Sequence, residues 1–420
     1  MIWLLSASLA MLMAMQWFLV WRFSTYLATK DGRDTSSFRP RVAIILCARG
    51  ADPHLAACLT MLSRQDWPDY QVFFVTDHAQ DPAVAVFRTV LKTLNSDRFE
   101  HWIATDRNPD CSLKCNSLVW ACERLHPRFE VVALIDADVV TDERWLQRLV
   151  APLSKPRVAA SYGMRWFEPS SQRMGSHVRA MWNAAAIVQM QAYNIAWGGS
   201  LAIRRLALEQ SGLLARWRST LFEDVMVAPH LARLRLATQM CPDLVLINRE
   251  DATLANVSRW MTRQLLDVKL YHPHWTLVLL HAIGTGAVLV AGLTFSIVYL
   301  ILGHFVYAAL CLLLLLLSQG LNVALLKRIK KAVRSAARPF RGSAPLPKSQ
   351  RFLLACTALP LCQVHHLLAI FRAAAKSQVA WRGLEYEIRA DQTVRLRKYI
   401  PMNDVVSANS GKDSASESID

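Results

Sequence analysis

Between residues 275 and 326 the chain carries no Asp, Glu, Lys or Arg: "WTLVLLHAIGTGAVLVAGLTFSIVYLILGHFVYAALCLLLLLLSQGLNVALL". A soluble core of ordinary size has no use for so long an apolar run, but a bilayer does. About twenty helical residues cross its ~30 Å hydrocarbon layer. The run is too long for one crossing and right for two, with a turn near Gly303-His304. Residues 2 to 21 are also uncharged and long enough for a further span. A cleaved leader would open on basic residues, and this stretch does not. Arg22, Lys30, Arg33, Arg39 and Arg41 follow it. The positive-inside rule therefore expects the start outside and the next domain in the cytoplasm.

Composition agrees with that class. Of 420 residues 53% are hydrophobic, yet the formal net charge is +16. Apolar and basic together describe a membrane protein with Lys and Arg on its cytoplasmic side. A nucleic-acid binder would share the charge but not need the Leu runs, so no nucleic-acid partner is expected. The nine cysteines are odd in number and none has a CxxC spacing. They are expected as free thiols in a reducing compartment.

Between the apolar stretches lies a different pattern. "VAIILCA" (42 to 48), "YQVFFVTD" (70 to 77), "FEHWIAT" (99 to 105) and "EVVALID" (130 to 136) suit buried strands. Helical patterns around 53 to 64, 82 to 95 and 112 to 126 separate them. This alternation predicts a doubly wound α/β domain, whose ligand sits beyond the carboxyl ends of the strands. Asp77 and Asp136 both fall there.

Three constellations carry chemistry. Asp136 and Asp138 are one residue apart, so they share a side of an extended chain. Two such carboxylates can bind a divalent cation, Mg²⁺ or Mn²⁺, which in turn neutralises a diphosphate. Departure of a nucleoside diphosphate from a sugar needs that arrangement, although Asp-x-Asp also occurs as ordinary turn residues. Glu223-Asp224 precedes an apolar helical pattern. The pair either caps that helix or supplies a general base for an attacking hydroxyl. Direct attack at the anomeric carbon would invert it. "NVSRW" (256 to 260) offers Arg259 for phosphate and Trp260 for a ring, or else anchors the membrane interface. Its Asn256-Val257-Ser258 sequon would face the cytoplasm, so no glycan is expected. Gly199, in Gly198-Gly199-Ser200, either admits close approach of a ligand or makes a tight turn. Lys114 and Asn116 open a helix beside the expected crevice, placed for base, phosphate or solvent.

Together these stretches resemble the GT-A glycosyltransferases of family-2 type, and within them the ceramide glucosyltransferases and their bacterial relatives. The likeness runs from residue 42 to about 390 and includes "GADPHLAACLTMLSRQDWPDYQVFFVTDHAQDPA". It implies three acidic positions and a Gln-x-x-Arg-Trp motif. They fall on Asp77 for the nucleotide, Asp136 opening the Asp-x-Asp, Asp224 as base, and Asn256, Arg259 and Trp260. Asn256 departs from the usual Gln and has one methylene less reach. "WRGLEYEIR" (381 to 389), with Trp381, Arg382 and Tyr386, resembles the group's membrane-proximal ending. Glu223 is a possible accessory, and His365 and His366 receive no role from the resemblance. What it implies is a UDP-sugar donor, glucose first, and a membrane lipid acceptor such as ceramide or a related lipid.

The expected map is an anchor (1–24), a linker (25–41), a cytoplasmic catalytic domain (42–272) and two spans (273–326). A basic cytoplasmic loop (327–350), a spanning or re-entrant segment (351–371), a basic membrane-proximal segment (372–400) and a disordered tail (401–420) follow. Two rivals remain at this point. A processive polysaccharide synthase would need more spans for a channel, and an inactive scaffold would have no need of the acidic residues.

Overall fold

β1 (Val42–Cys47) is apolar throughout because a sheet covered on both faces leaves it no wet side. The computed structural model, which describes residues 2–29, 38–337 and 348–410, places it between two parallel neighbours. These are β2 (Tyr70–Thr76) and β4 (Val131–Asp136), with β3 (Phe99–Ile103) outside β2. The period of two sorts their side chains. Ala43, Ile45, Phe73, Val75, Val132 and Leu134 enter one core. Val42, Ile44, Leu46, Val72, Phe74, Val131, Ala133 and Ile135 enter the other. The helices between the strands are α2 (Leu55–Ser63), α3 (Pro82–Leu94) and α4 (Leu113–Arg124). Asp81 caps α3 ahead of Pro82, and the Ser112 hydroxyl accepts from the Cys115 amide to cap α4.

Beyond β4 the sheet becomes mixed. Helix α5 (Trp145–Val150) leads to β5 (Val158–Phe167), and α6 (Met174–Tyr193) leads to β6 (Ser200–Arg204). Short helices α7 (Arg205–Gln210), α8 (Leu213–Trp217) and α9 (Val227–Arg233) precede β7 (Ala237–Asn248). The order is β3-β2-β1-β4-β6-β5-β7, with β6 antiparallel to β4 and β5. The chain winds outward from β1 through β2 and β3, then returns to β4 on the other side of β1. The crevice opens at that reversal. Cys47 and Asp136 are register partners there.

Among the described residues four helices are long and apolar enough to cross a membrane. They are α1 (Ile2–Ala28), α11 (Trp275–Ile301), α12 (Phe305–Ala336) and the later part of α13 (Lys348–Ala375). Between them and the sheet runs α10 (Leu254–Tyr271), capped by Thr253. The turn from α11 to α12 falls at 302–304, where Gly303 takes a left-handed φ of 74°. Val20, Phe23 and Leu27 of α1 and Leu325, Ile329 and Val333 of α12 belong to the sheet's own core. The apolar helices are thus built into the catalytic domain.

Several expected boundaries change. The basic segment from 327 is helical to Ala336, because Leu325, Ile329 and Val333 recur every four residues and bury one face under the Lys and Arg. The remainder of that expected loop, 338–347, lies outside the described residues, as do 30–37 of the linker. The re-entrant reading of 351–371 gives way to one continuous helix with Pro360 inside it, packed along α6, α10 and α11. The segment after it folds into an antiparallel sheet of β8 (Gln378–Trp381), β9 (Leu384–Ile388) and β10 (Val394–Tyr399). Arg382 and Gly383, both at positive φ, make the tight turn between β8 and β9. Residues Met402–Ser410 form helix α14 where disorder was expected, and 411–420 lie outside the described residues. The periodic apolar positions Val379, Leu384, Tyr386 and Val394 seat this sheet against Leu113 and α10.

Candidate active site

β4 delivers Asp136 to the crevice, and the first turn of α4 delivers Lys114 opposite it. The Lys114 ammonium donates to Asp136 Oδ1 at 2.7 Å and lies 2.5 Å from Glu223 Oε1. Burial works against that ammonium, but Asp136 and Glu223 outweigh it and hold Lys114 well above the ordinary lysine range. Burial likewise favours neutral Asp136, and the attraction of Lys114 and Arg165 reverses it, leaving the pKa lowered. Glu223, only 3% exposed, behaves differently. Burial pushes it up to about 7 despite Lys114, with Asp224 and Asp136 adding to the rise.

Asp138 is held by Arg165 from β5, whose Nη2 donates to both carboxylate oxygens at 2.8 and 2.9 Å. The same guanidinium stands 3.8 Å from Asp136 Oδ2 and lies over the Trp197 ring at 4.8 Å. The Gly198-Gly199 turn runs between the two acidic groups. A Cβ at Gly199 would come within 2.6 Å of Asp136 Oδ2, and one at Gly198 within 2.2 Å of Glu223 Oε1. Only glycine fits here, because the chain's own carboxylates already crowd the turn. The Gly198 amide also donates to Asp224 Oδ2 at 2.7 Å, while Asp224 Oδ1 accepts from the Val225 amide at 2.9 Å. Asp224 therefore sits one turn of backbone from the Asp136 corner. Asp267 of α10 faces it; burial, then the Asp224 charge, keeps that carboxyl well above the carboxylate range.

The other expected residues divide. Asp77 is 4% exposed, and Arg49 Nη1 donates to its Oδ2 at 2.6 Å. Arg49 also donates to the carbonyls of Arg382 and Ile400, so the C-terminal sheet covers this pair. Tyr399 lies over Arg49 and over Arg107, whose Nη2 donates to its hydroxyl at 3.1 Å. Asn116 is buried, and its amide is spent on the Asn108 amide and the Asp106 carbonyl. It shapes the loop before α4. Arg259 is exposed and donates to Asn256 Oδ1, so the Asn that replaces Gln engages the motif's own arginine. Trp260 turns inward, edge-on to Phe167 at 5.4 Å and Trp182 at 5.0 Å. His366 accepts from Trp182 Nε1 at 3.0 Å. His365 parts from it, with a buried Nδ1 that has no partner among the described residues. Arg382 donates to the Arg49 carbonyl and lies beside its neighbour Trp381. The Tyr386 hydroxyl accepts from the Leu113 amide at 3.0 Å, which fixes the start of α4 next to Lys114.

Arg165, Arg49, Arg107, Trp182 and Asp267 escaped the sequence argument. The detectable signals were an arginine inside an otherwise buried strand and an aspartate on the apolar face of α10. For a divalent cation the site offers Asp136 and Asp138. No group of three His, Cys, Asp or Glu able to hold a metal occurs among the described residues. Mg²⁺ needs none, since it binds through one or two carboxylates plus substrate phosphates and water. The donor set therefore fits.

A parallel β3-β2-β1-β4 half sheet, an Asp-x-Asp at the end of β4 and a second acidic pair across the crevice define a GT-A glycosyltransferase. The model of glycosyl transferase family 21 matches residues 1–394, and the chain belongs to that family. No curated protein matches it. Among solved structures it is similar to the mannosyltransferase PcManGT from Pyrobaculum calidifontis in complex with GDP-Man and Mn²⁺. Identity is 18% over 88% of this chain and 99% of that one, with a TM-score of 0.51. That likeness shows the fold. Glucosyl-3-phosphoglycerate synthase from Mycobacterium tuberculosis is more distant, at 12% identity over 55% of this chain and 81% of that one, with a TM-score of 0.38.

Proposed function

We propose that this enzyme moves a sugar, glucose first among candidates, from a UDP-sugar to the hydroxyl of a membrane lipid, inverting the anomeric carbon. One observation carries the lipid acceptor. A cavity of about 320 Å³ opens among α1, α6 and α10 to α13 and reaches Asp224, Arg165 and Trp197. Its walls are mostly apolar, with Leu12, Leu289 and Leu326 among them. Asn183, Gln319 and Gln363 also line it, and each has a buried side-chain oxygen without a partner among the described residues. An apolar chain with a hydroxyl-bearing head suits both features.

The chemistry follows from the two sides of Gly198-Gly199. Asp224, held by the Gly198 and Val225 amides, takes the proton of the acceptor hydroxyl. The hydroxyl oxygen bonds to the anomeric carbon as the bond from that carbon to the diphosphate breaks. The electron pair leaves with UDP, and Lys114 and Arg165 stand where its charge grows. Mg²⁺ or Mn²⁺, held by Asp136 and Asp138, would neutralise part of the diphosphate charge.

The topology we infer puts the catalytic domain in the cytoplasm. The ends of α1 and α12 and the sheet after α13 all rest on that domain. The end of α12 and the sheet after α13 therefore belong on one side. This favours an interfacial α13 and three crossings by α1, α11 and α12. Membranes holding the chain, given radiolabelled UDP-sugars and followed by mass analysis of extracted lipid, test the function. A labelled lipid supports it; transfer to water or to a polymer alone defeats it.

A further inference from the structure

We propose that Arg263 binds the donor's diphosphate, a role resting on the reading of this crevice as a nucleoside-diphosphate-sugar site. Arg263 lies on α10, three residues after Trp260 and four before Asp267. Trp260, Gln264 and Asp267 line the cavity that reaches Arg165 and Asp224, and Arg263 lies on the flank of that face of α10, outside the cavity wall. The charged groups within electrostatic reach of Arg263 are Arg165, Asp138, Asp136 and Arg382.

The other cations of that corner are committed. Lys114 holds Asp136 and Glu223, Arg165 holds Asp138, and Arg382 holds the Arg49 carbonyl and Asp52. Arg263 has no hydrogen bond or ion pair among the described residues, although it is more than half buried. A partly buried guanidinium without a partner is costly, and two like charges beside it add to the cost. Such a cluster becomes favourable when a multivalent anion enters. The planar fork of Arg matches phosphate oxygens, and a diphosphate presents several of them. Burial, then Arg165, presses Arg263 below the ordinary arginine range, while Asp138 and Asp136 act in the opposite direction.

The inference differs from the sequence argument, which put the phosphate contact on Arg259. That side chain is exposed and engages Asn256, while Arg263, one turn later, faces the acidic corner. The test uses the full chain in lipid nanodiscs, with Arg263→Gln and Arg263→Lys beside the wild type. Binding of UDP and of uridine is measured by calorimetry, with thermal midpoints recorded with and without UDP. Arg263→Gln should weaken UDP about tenfold or more, leave uridine unchanged and shrink the UDP-induced thermal shift. Without ligand its midpoint should equal or exceed that of the wild type, since a like-charge repulsion is gone. Arg263→Lys should recover part of the affinity. Wild-type UDP affinity in Arg263→Gln overturns the role, as does a joint loss of ligand-free stability and uridine binding. Loss of binding to anionic phospholipid with UDP affinity intact overturns it too, by assigning the charge to a headgroup. If the wild type binds no UDP, GDP or ADP, the donor-site reading falls, and this role with it.

Discussion

The proposed donor crevice and the proposed acceptor cavity meet at Asp224 and are built on opposite principles. In the crevice almost every charge is paired. Lys114 bridges Asp136 and Glu223, Arg165 forks Asp138, and Arg49 covers Asp77. The cavity is walled by Leu, Val, Ala and Met, with a few amides whose oxygens lack partners among the described residues. Ion pairs in a low-dielectric cleft keep carboxylates ionised and positioned until a charged ligand exchanges partners with them. An apolar cavity holds no ions and waits for a ligand that brings its own few donors. The seam between them is the Gly198-Gly199 turn, which touches Glu223, Asp224 and Asp136 at once.

The sharpest way to break this division is Asp224→Asn. The amide oxygen can still accept from Gly198, while its NH2 faces the Val225 amide, so one of the two backbone contacts is lost together with the base. Turnover should fall about 100-fold or more with UDP affinity nearly unchanged. A normal rate would remove Asp224 from the chemistry. Asp136→Ala should act on the other side. It strands Lys114 and removes one metal-binding carboxylate, so UDP affinity should fall about 10- to 100-fold and lose its response to Mg²⁺ or Mn²⁺. Calorimetry with and without the metals reads this directly. Retained metal-dependent affinity would separate Asp136 from the donor.

How much of this division was legible in the sequence depends on distance along the chain. The four parallel strands and their helices were readable because each is a local pattern: VAIILC, YQVFFVT and VVALID are apolar runs bounded by polar turns. Asp136, Asp138 and Asp224 were readable because they stand at such boundaries. The partners were not. Lys114 to Glu223, Arg165 to Asp138 and Arg49 to the Arg382 carbonyl join residues far apart in sequence. No periodicity encodes those contacts. The sheet in the C-terminal segment was not legible for a related reason. Its basic residues, Arg382, Arg389, Arg395 and Arg397, pointed only to a membrane-proximal segment. Its alternation of Val379, Leu384, Tyr386 and Val394 was too short to stand out. That sheet now covers Asp77, which the sequence argument had left open to the nucleotide.

The cavity side is sharpened by a change that fills space without touching a charge. Ala186 of α6 lines the cavity and carries no charge. Ala186→Trp should raise KM for the lipid acceptor about tenfold, the cost typical of overpacking. UDP affinity should not change. Steady-state kinetics at saturating UDP-sugar, with the lipid varied in mixed micelles, measures this. Equal losses in both ligands would mean that crevice and cavity are one compartment.

The smallest effect concerns Glu223, the one crevice carboxyl that burial pushes up to about 7, from an ordinary 4.5. A raised carboxyl binds its proton more tightly in the folded chain than in the unfolded one. Its contribution to stability is full below about 4.5 and is lost as pH rises through about 7. Lowered Asp136 works in the opposite sense, but its window lies below the ordinary carboxylate value of 3.8. Asp267, also raised by burial, loses stability in the same direction as pH rises, so the share of Glu223 between pH 5 and 7.5 is the part of the slope that Glu223→Gln removes. The wild-type thermal midpoint should drift down over that interval, and Glu223→Gln, neutral throughout, should flatten the drift. An unchanged slope in Glu223→Gln would place the titration elsewhere. It would also mean that Lys114 outweighs burial at Glu223, so that the crevice holds a fully ionised Asp136, Lys114 and Glu223 triad at neutral pH.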